Sequence, residues 1–208
     1  MQLKNYYWYF QSAVPARICD DIIKYAISMK DQKGVTGGFS DTKKLNQQQV
    51  KDLKKKRDSD VVWFTDRWIY KEVIPYIHEA NKNTGWNFQW DHSEPAQFTK
   101  YKKGQHYGWH CDAWDGVYNQ PNSPIHGKTR KLSVTLSLSD DKDYKGGDFE
   151  VDFRNTDPNK KLNTQIVKEI RPKGSLVVFP GDLWHRVKPV TKGTRYSLVM
   201  WNVGWPFK

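Results

Sequence analysis

From Phe88 onward the chain breaks into short β-rich runs separated by glycine, proline and aspartate turns. The runs fall at 96–101, 106–112, 131–139, 148–153, 165–170, 175–180, 184–190 and 194–203. About eight short strands at this spacing make a sandwich or jelly roll. Leu132, Val134, Leu136 and Leu138 alternate with Lys131, Ser133, Thr135 and Ser137, the period-two signature of a half-buried strand.

The segment before Phe88 reads differently. An aromatic, strand-like piece at Tyr6–Phe10 leads to Pro15, suited to a first helical turn, after which Ile18, Ile22, Ala26 and Met29 recur at helical spacing. Val61–Phe64 reads as a short buried strand. Thr65 is placed to cap a second helix with Ile69, Val73, Ile77 and Ala80 on one face, and Pro75 should kink or interrupt it. Residues 30–60 are polar and rich in glycine and lysine, and are read either as a lid or as a plain surface excursion. The expected class is mainly β with flanking helices (α+β), the two helices packed outside one sheet. The chain is taken as one domain over 1–208, with 1–87 as support and possible lid and 88–208 as the core.

A chain of 208 residues buries roughly 70 % of its unfolded surface, ample for one core. No apolar run reaches membrane length and the start lacks a signal-peptide core, so no membrane partner and a cytoplasmic location are expected. Cys19 and Cys111 make no disulfide framework, which fits a reducing compartment. The formal charge of +11 favours acidic partners, nucleic acid among them, although a solvated lysine-rich surface explains it equally simply. Part of the excess is the run Lys51–Arg57.

The chemistry concentrates in His110-Cys111-Asp112, followed by His185 and, ten residues later, Arg195. Two imidazoles and one carboxylate can occupy one face of an octahedral iron(II) ion and leave three positions open. With six histidines and 18 aspartates, chance alone predicts about half of one His-x-Asp match, so context must decide. His92-Ser93-Glu94 is a competitor, but it runs straight into Pro95. His110 instead follows Tyr101-x-x-Gly104-x-x-Tyr107, and a strand there would put His110 and Asp112 on one face with Cys111 pointing away. After an apolar strand and the Pro180-Gly181 turn, His185 opens the next strand. A turn at Gly193 should then return the chain so that Arg195 lies on a neighbouring strand of the same sheet. Arg195 and Ser197 share a face, and together they can grip a carboxylate.

The stretch from about Gln97 to Trp205, with the pieces QFTKYKKGQHYGWHCD, RKLSVTLSLSD, GGDFEV and FPGDLWHRVKPVTKGTRYSLVMW in this order, resembles the 2-oxoglutarate/Fe(II) dioxygenases, and among them the prolyl-4-hydroxylase-like group. The resemblance implies a double-stranded β-helix, with His110, Asp112 and His185 binding iron at its mouth. It also implies Arg195 on the far carboxylate of 2-oxoglutarate, Tyr101 as a hydroxyl donor to it and Ser197 as a weaker contact. Dioxygen is the second co-substrate and ascorbate the expected reductant. Oxidative decarboxylation to succinate and carbon dioxide would then drive hydroxylation of an unactivated C–H, most simply of a prolyl residue in a peptide or protein, or of a free amino acid. Retention of Asp112 implies hydroxylation, since a halogenase would carry a small residue there. Collagen-type enzymes carry lysine where this chain has Arg195, which argues against collagen.

The loop from Ala113 to Arg130 is the expected substrate contact. Tyr107, Trp109, Trp114, Tyr118 and Trp201 are candidate cleft walls, though core packing explains each as well; His106 and His126 receive no role. Two other functions compete. An oxidative nucleic-acid demethylase would show a second arginine six residues after Arg195, where this chain has Trp201. A cupin-like module that merely holds metal has no need of Arg195 and Tyr101.

Overall fold

Apolar periodicity is translated into elements with few surprises. The computed structural model describes residues 5–35, 45–153 and 163–207. In chain order these form β1 (Trp8–Phe10), α1 (Ala16–Ser28), β2 (Gln32–Lys33), α2 (Gln47–Lys56), β3 (Arg57–Asp58), β4 (Asp60–Phe64) and α3 (Arg67–Asn83). Then come β5 (His92–Ser93), β6 (Ala96–Tyr101), β7 (His106–His110), β8 (Thr129–Ser137), β9 (Tyr144–Gly146) and β10 (Phe149–Asp152). The remainder is β11 (Thr164–Ile166), β12 (Leu176–Pro180), β13 (Trp184–Val187), β14 (Val190–Gly193) and β15 (Arg195–Gly204).

The large sheet runs β1-β12-β8-β15-β6-β4-β2, with β5 added on β15; the smaller runs β11-β10-β13-β7-β3, and β14 pairs with β9. Every ladder among the described residues is antiparallel. Two cores result. Cys19, Ile22 and Ala26 of α1 and Ile69, Val73, Ile77 and Ala80 of α3 pack with Leu132, Val134, Leu136, Leu176 and Leu198 of the large sheet. Each of these isoleucine, valine and leucine side chains contributes roughly 1.5–3 kcal/mol by leaving water. The second core, with Tyr101, Phe149, Val151, Val177, Phe179 and Val187, joins residues of both sheets. This is the jelly roll with outer helices that the strand spacing implied.

Several local readings need correction. Ser133, Thr135 and Ser137 are as buried as the leucines beside them, so β8 is covered on both faces and not half-exposed. The helix α3 is preceded by Asp66 rather than Thr65. Asp66 makes no cap bond; its carboxylate accepts from Tyr25 and ties α1 to α3 (3.1 Å). Pro75 does not interrupt α3, because it lies on the exposed side, where water can take the carbonyl that the missing N–H leaves free. Residues 30–60 are no simple excursion. Asn46 and Gln49 form a reciprocal capping box that starts α2, and β3 then joins the small sheet; residues 36–44 lie outside the described part.

Candidate active site

Antiparallel pairing of β13 with β7 sets His185 directly opposite His110. The strand β7 ends at His110, so Asp112 is not delivered by strand alternation. It is carried on the following bend, where the N–H groups of Asp112 and Ala113 both donate to the Gly181 carbonyl (2.9 and 2.8 Å). Gly181 is required there: a β-carbon on it would stand 2.8 Å from the Arg130 carbonyl oxygen and 3.2 Å from the Ala113 side chain. Cys111 points elsewhere, toward the Asp182 carbonyl (3.1 Å).

Both imidazoles are oriented by backbone. Nδ1 of His110 lies 2.8 Å from the Gly108 carbonyl oxygen and Nδ1 of His185 lies 2.9 Å from that of Leu183. A carbonyl only accepts, so each Nδ1 carries the proton and each Nε2 presents a lone pair. Those lone pairs face Asp112: Nε2 of His110 is 3.8 Å from Oδ1 and Nε2 of His185 is 3.6 Å from Oδ2. The three ligand atoms lie within 4.8 Å of one another. Oδ2 of Asp112 is buried without a hydrogen-bond partner among the described residues, an arrangement that calls for a cation between the three groups.

The electrostatics agree. Burial first, and the neighbouring His185 second, push His110 down to about 3, so it is neutral and ready to ligate. Burial by itself would raise Asp112, but His185 and His110 outweigh it and hold the carboxyl below its usual range. Tyr107 stacks on His110 at 3.5 Å between centroids, and Phe179 and Phe149 flank His185 at 4.7 and 5.5 Å.

Arg195 is where the strand reading misplaces the chemistry. It does not share a sheet with His185: β13 belongs to the small sheet and β15 to the large one. Within the large sheet Arg195 stands opposite Tyr101, and its guanidinium lies 5.7 Å from that ring. Nη1 donates to Ser197 (3.2 Å). Arg195 is 2 % exposed and has no carboxylate partner among the described residues, an uncompensated buried charge that a bound anion would relieve. Gly147, at φ +63°, leaves room for it, since a β-carbon there would sit 3.0 Å from Arg195 Cδ.

The competing motif is spent elsewhere. His92 pairs with Val203 in β5, and Glu94 forms a bidentate ion pair with Arg130 (2.7 and 2.7 Å). His106 lies against the Lys55 carbonyl (3.1 Å) and His126 accepts from the Gln120 N–H (3.1 Å). Of the aromatic candidates, Tyr107 abuts the triad, Trp201 lies under the Arg130 guanidinium (4.1 Å), Trp109 under that of Arg186 (4.5 Å), and Trp114 meets Tyr118 edge-on (4.6 Å).

Arg57 is the residue that sequence reasoning missed. It ends a run of solvated lysines, yet it is buried, donates from Nε to Ser59 (2.9 Å) and lies over Tyr107 (4.6 Å). Its Nη2 has no hydrogen-bond partner among the described residues. Only the pairing of β3 with β7, which sets Arg57 opposite Tyr107, distinguishes it from its neighbours.

Comparison with known proteins agrees with this geometry. The family model described as the 2OG-Fe(II) oxygenase superfamily matches residues 96–203, just over half of the chain. The protein belongs to that superfamily, whose cofactors are iron(II), 2-oxoglutarate and dioxygen. Within it, the chain is 38 % identical over 107 residues to a PKHD-type hydroxylase of Pseudoalteromonas atlantica (strain T6c / ATCC BAA-1087) and 35 % identical over 107 residues to one of Janthinobacterium sp. (strain Marseille). Each match takes 51 % of this chain and 42 % of the relative, so less than half of those proteins is represented. Among solved structures, the viral collagen prolyl hydroxylase of Paramecium Bursaria Chlorella virus-1, in its 2OG complex, superposes with a TM-score of 0.63 at 19 % identity, covering 97 % of both chains. A Pseudomonas putida prolyl-4-hydroxylase gives 0.64 at 17 % identity, covering 96 % of this chain and 93 % of its own. Both carry the same fold. Among the described residues no helix is long and apolar enough to cross a membrane.

Proposed function

We propose that the protein is an Fe(II)- and 2-oxoglutarate-dependent dioxygenase that hydroxylates a prolyl residue in a peptide or protein, with succinate and carbon dioxide as co-products. The observation that carries this is the convergence of His110, Asp112 and His185 within 4.8 Å, with a buried Arg195 that no carboxylate among the described residues neutralises. His110 and His185 offer Nε2 and Asp112 a carboxylate oxygen to iron. Iron with 2-oxoglutarate supplies the oxidising chemistry when bound. The protein's own part is binding and orientation. Arg195 grips the far carboxylate of 2-oxoglutarate, Ser197 fixes the guanidinium by accepting a hydrogen bond from Nη1, and Tyr101 opposite can donate its phenol O–H. Burial raises the pKa of Tyr101 above the usual phenol, which keeps that proton in place. Tyr107 and the buried Arg57 wall the substrate side, and the loop 113–128 bears Trp114 and Tyr118 there. In this reading the described residues before Phe88 support the sheet and those after it form the site, with Arg57 the exception.

The test is succinate release from 2-oxoglutarate with iron and ascorbate, followed by a screen of proline-containing peptides for a mass gain of one oxygen. Turnover of 2-oxoglutarate without any hydroxylated prolyl peptide would keep the oxygenase and remove proline as its target. No turnover at all would remove both.

A further inference from the structure

The ion pair that disposes of Glu94 as a metal ligand sits at a junction. Arg130 gives Nε and Nη2 to the two Glu94 oxygens and Nη1 to the Asp112 carbonyl (3.3 Å), while its face covers Trp201. Glu94 also accepts from the Tyr118 phenol through Oε1 (2.7 Å). Tyr118 belongs to the loop after the metal motif, where its N–H donates to the Lys128 carbonyl and its carbonyl accepts from the Gly127 N–H, both at 2.9 Å. Glu94 itself is held at both backbone ends: its N–H donates to the Trp201 carbonyl (2.9 Å) and its carbonyl accepts from the Tyr70 phenol (2.9 Å). A rigid carboxylate therefore touches, through one arginine and one phenol, both the backbone of the proposed metal ligand and the proposed substrate loop.

We propose that Glu94 is a positioning residue that couples the loop 113–128 to Asp112, with Arg130 as the arm toward the metal and the Tyr118 hydroxyl as the latch on the loop. This rests on the reading of His110, Asp112 and His185 as metal ligands. The coupling follows from satisfaction of charge. Glu94 is buried and the Arg130 side chain is only 18 % exposed, so separating them would leave a carboxylate unpaired away from water. A loop that pulls Tyr118 away removes one donor from Glu94 and loosens the arginine that supports the Asp112 carbonyl. Groups of this kind, one step removed from a metal, typically change its affinity 10–100-fold.

The experiment measures Mn(II) binding by electron paramagnetic resonance and amide exchange in 113–128, neither of which requires the substrate. Tyr118→Phe removes the latch, so exchange in the loop should rise about tenfold and Mn(II) affinity should fall about threefold, short of the Glu94→Gln loss because both Arg130 bonds to Glu94 remain. Glu94→Gln should loosen the loop and also weaken Mn(II) by about tenfold or more. Should Glu94→Gln fold poorly, the double variant Glu94→Leu/Arg130→Met replaces the buried pair with apolar groups and should show both effects in a folded protein. Mn(II) affinity unchanged in Glu94→Gln and in the double variant, or loop exchange unchanged in Tyr118→Phe, overturns the coupling. Failure of the unaltered protein to bind Mn(II) instead overturns the metal site beneath it.

Discussion

His185 stands directly opposite His110 on the β13–β7 ladder, their rings 4.1 Å apart, and each is pinned through Nδ1 to a carbonyl two residues earlier in its own chain. The pair is thus prepared for a cation by the backbone alone, before any cation arrives. His110→Ala or His185→Ala should abolish iron-dependent release of succinate, and retained turnover would remove that residue from the metal set.

Acid should destabilise the metal-free protein through His110. His110 is held at about 3 against an ordinary 6.5, so between those values the unfolded chain binds a proton that the folded one refuses. Stability therefore rises with pH through that window and falls on acidification. Asp112, held below its ordinary 3.8, adds to the loss beneath that value. The melting temperature of chelator-treated protein should drop from pH 6.5 to pH 4, and His110→Gln should flatten the slope. A flat profile for the unaltered protein would refute a buried, neutral His110.

Arg195→Ala should raise the 2-oxoglutarate requirement on the order of 10–100-fold or more, because a buried charged pair loses one member. Ser197→Ala should raise it only a few-fold, since it frees the guanidinium without removing it. Steady-state kinetics of uncoupled turnover distinguish the two, and an unchanged requirement in Arg195→Ala places the clamp elsewhere.

Arg57→Met should move stability and function in opposite directions. The substitution removes a buried cation that has an N–H unpaired among the described residues and puts an apolar thioether in place of the guanidinium beside Tyr107, so the melting temperature should hold or rise. Hydroxylation of a prolyl peptide should fall while uncoupled succinate release survives.

Gly181→Ala should destabilise by about 1–3 kcal/mol, the usual cost of forcing an extra carbon into packed surroundings. It should also weaken Mn(II) binding, because the Gly181 carbonyl holds the N–H groups of Asp112 and Ala113. Thermal unfolding with and without Mn(II) reads both, and an unaltered Mn(II) affinity would detach Asp112 from that anchor.

What the sequence determined by itself is what local periodicity and residue chemistry can carry. The leucines of β8, the faces of α1 and α3, and a His-x-Asp, histidine and arginine set in order were all legible, because alternation of two and spacing of 3.6 are properties of neighbours along the chain. Tertiary structure decided which neighbours meet. It assigned His185 and Arg195 to different sheets, moved Asp112 off its strand onto a bend held by Gly181, buried the hydroxyl face of β8, and selected Arg57 alone from a basic run. It also turned Glu94 from a rival ligand into the partner of Arg130. Each of those outcomes depends on pairing across tens of residues, where the free energy comes from burying and neutralising charge together, and no pattern within a single strand or helix contains that information.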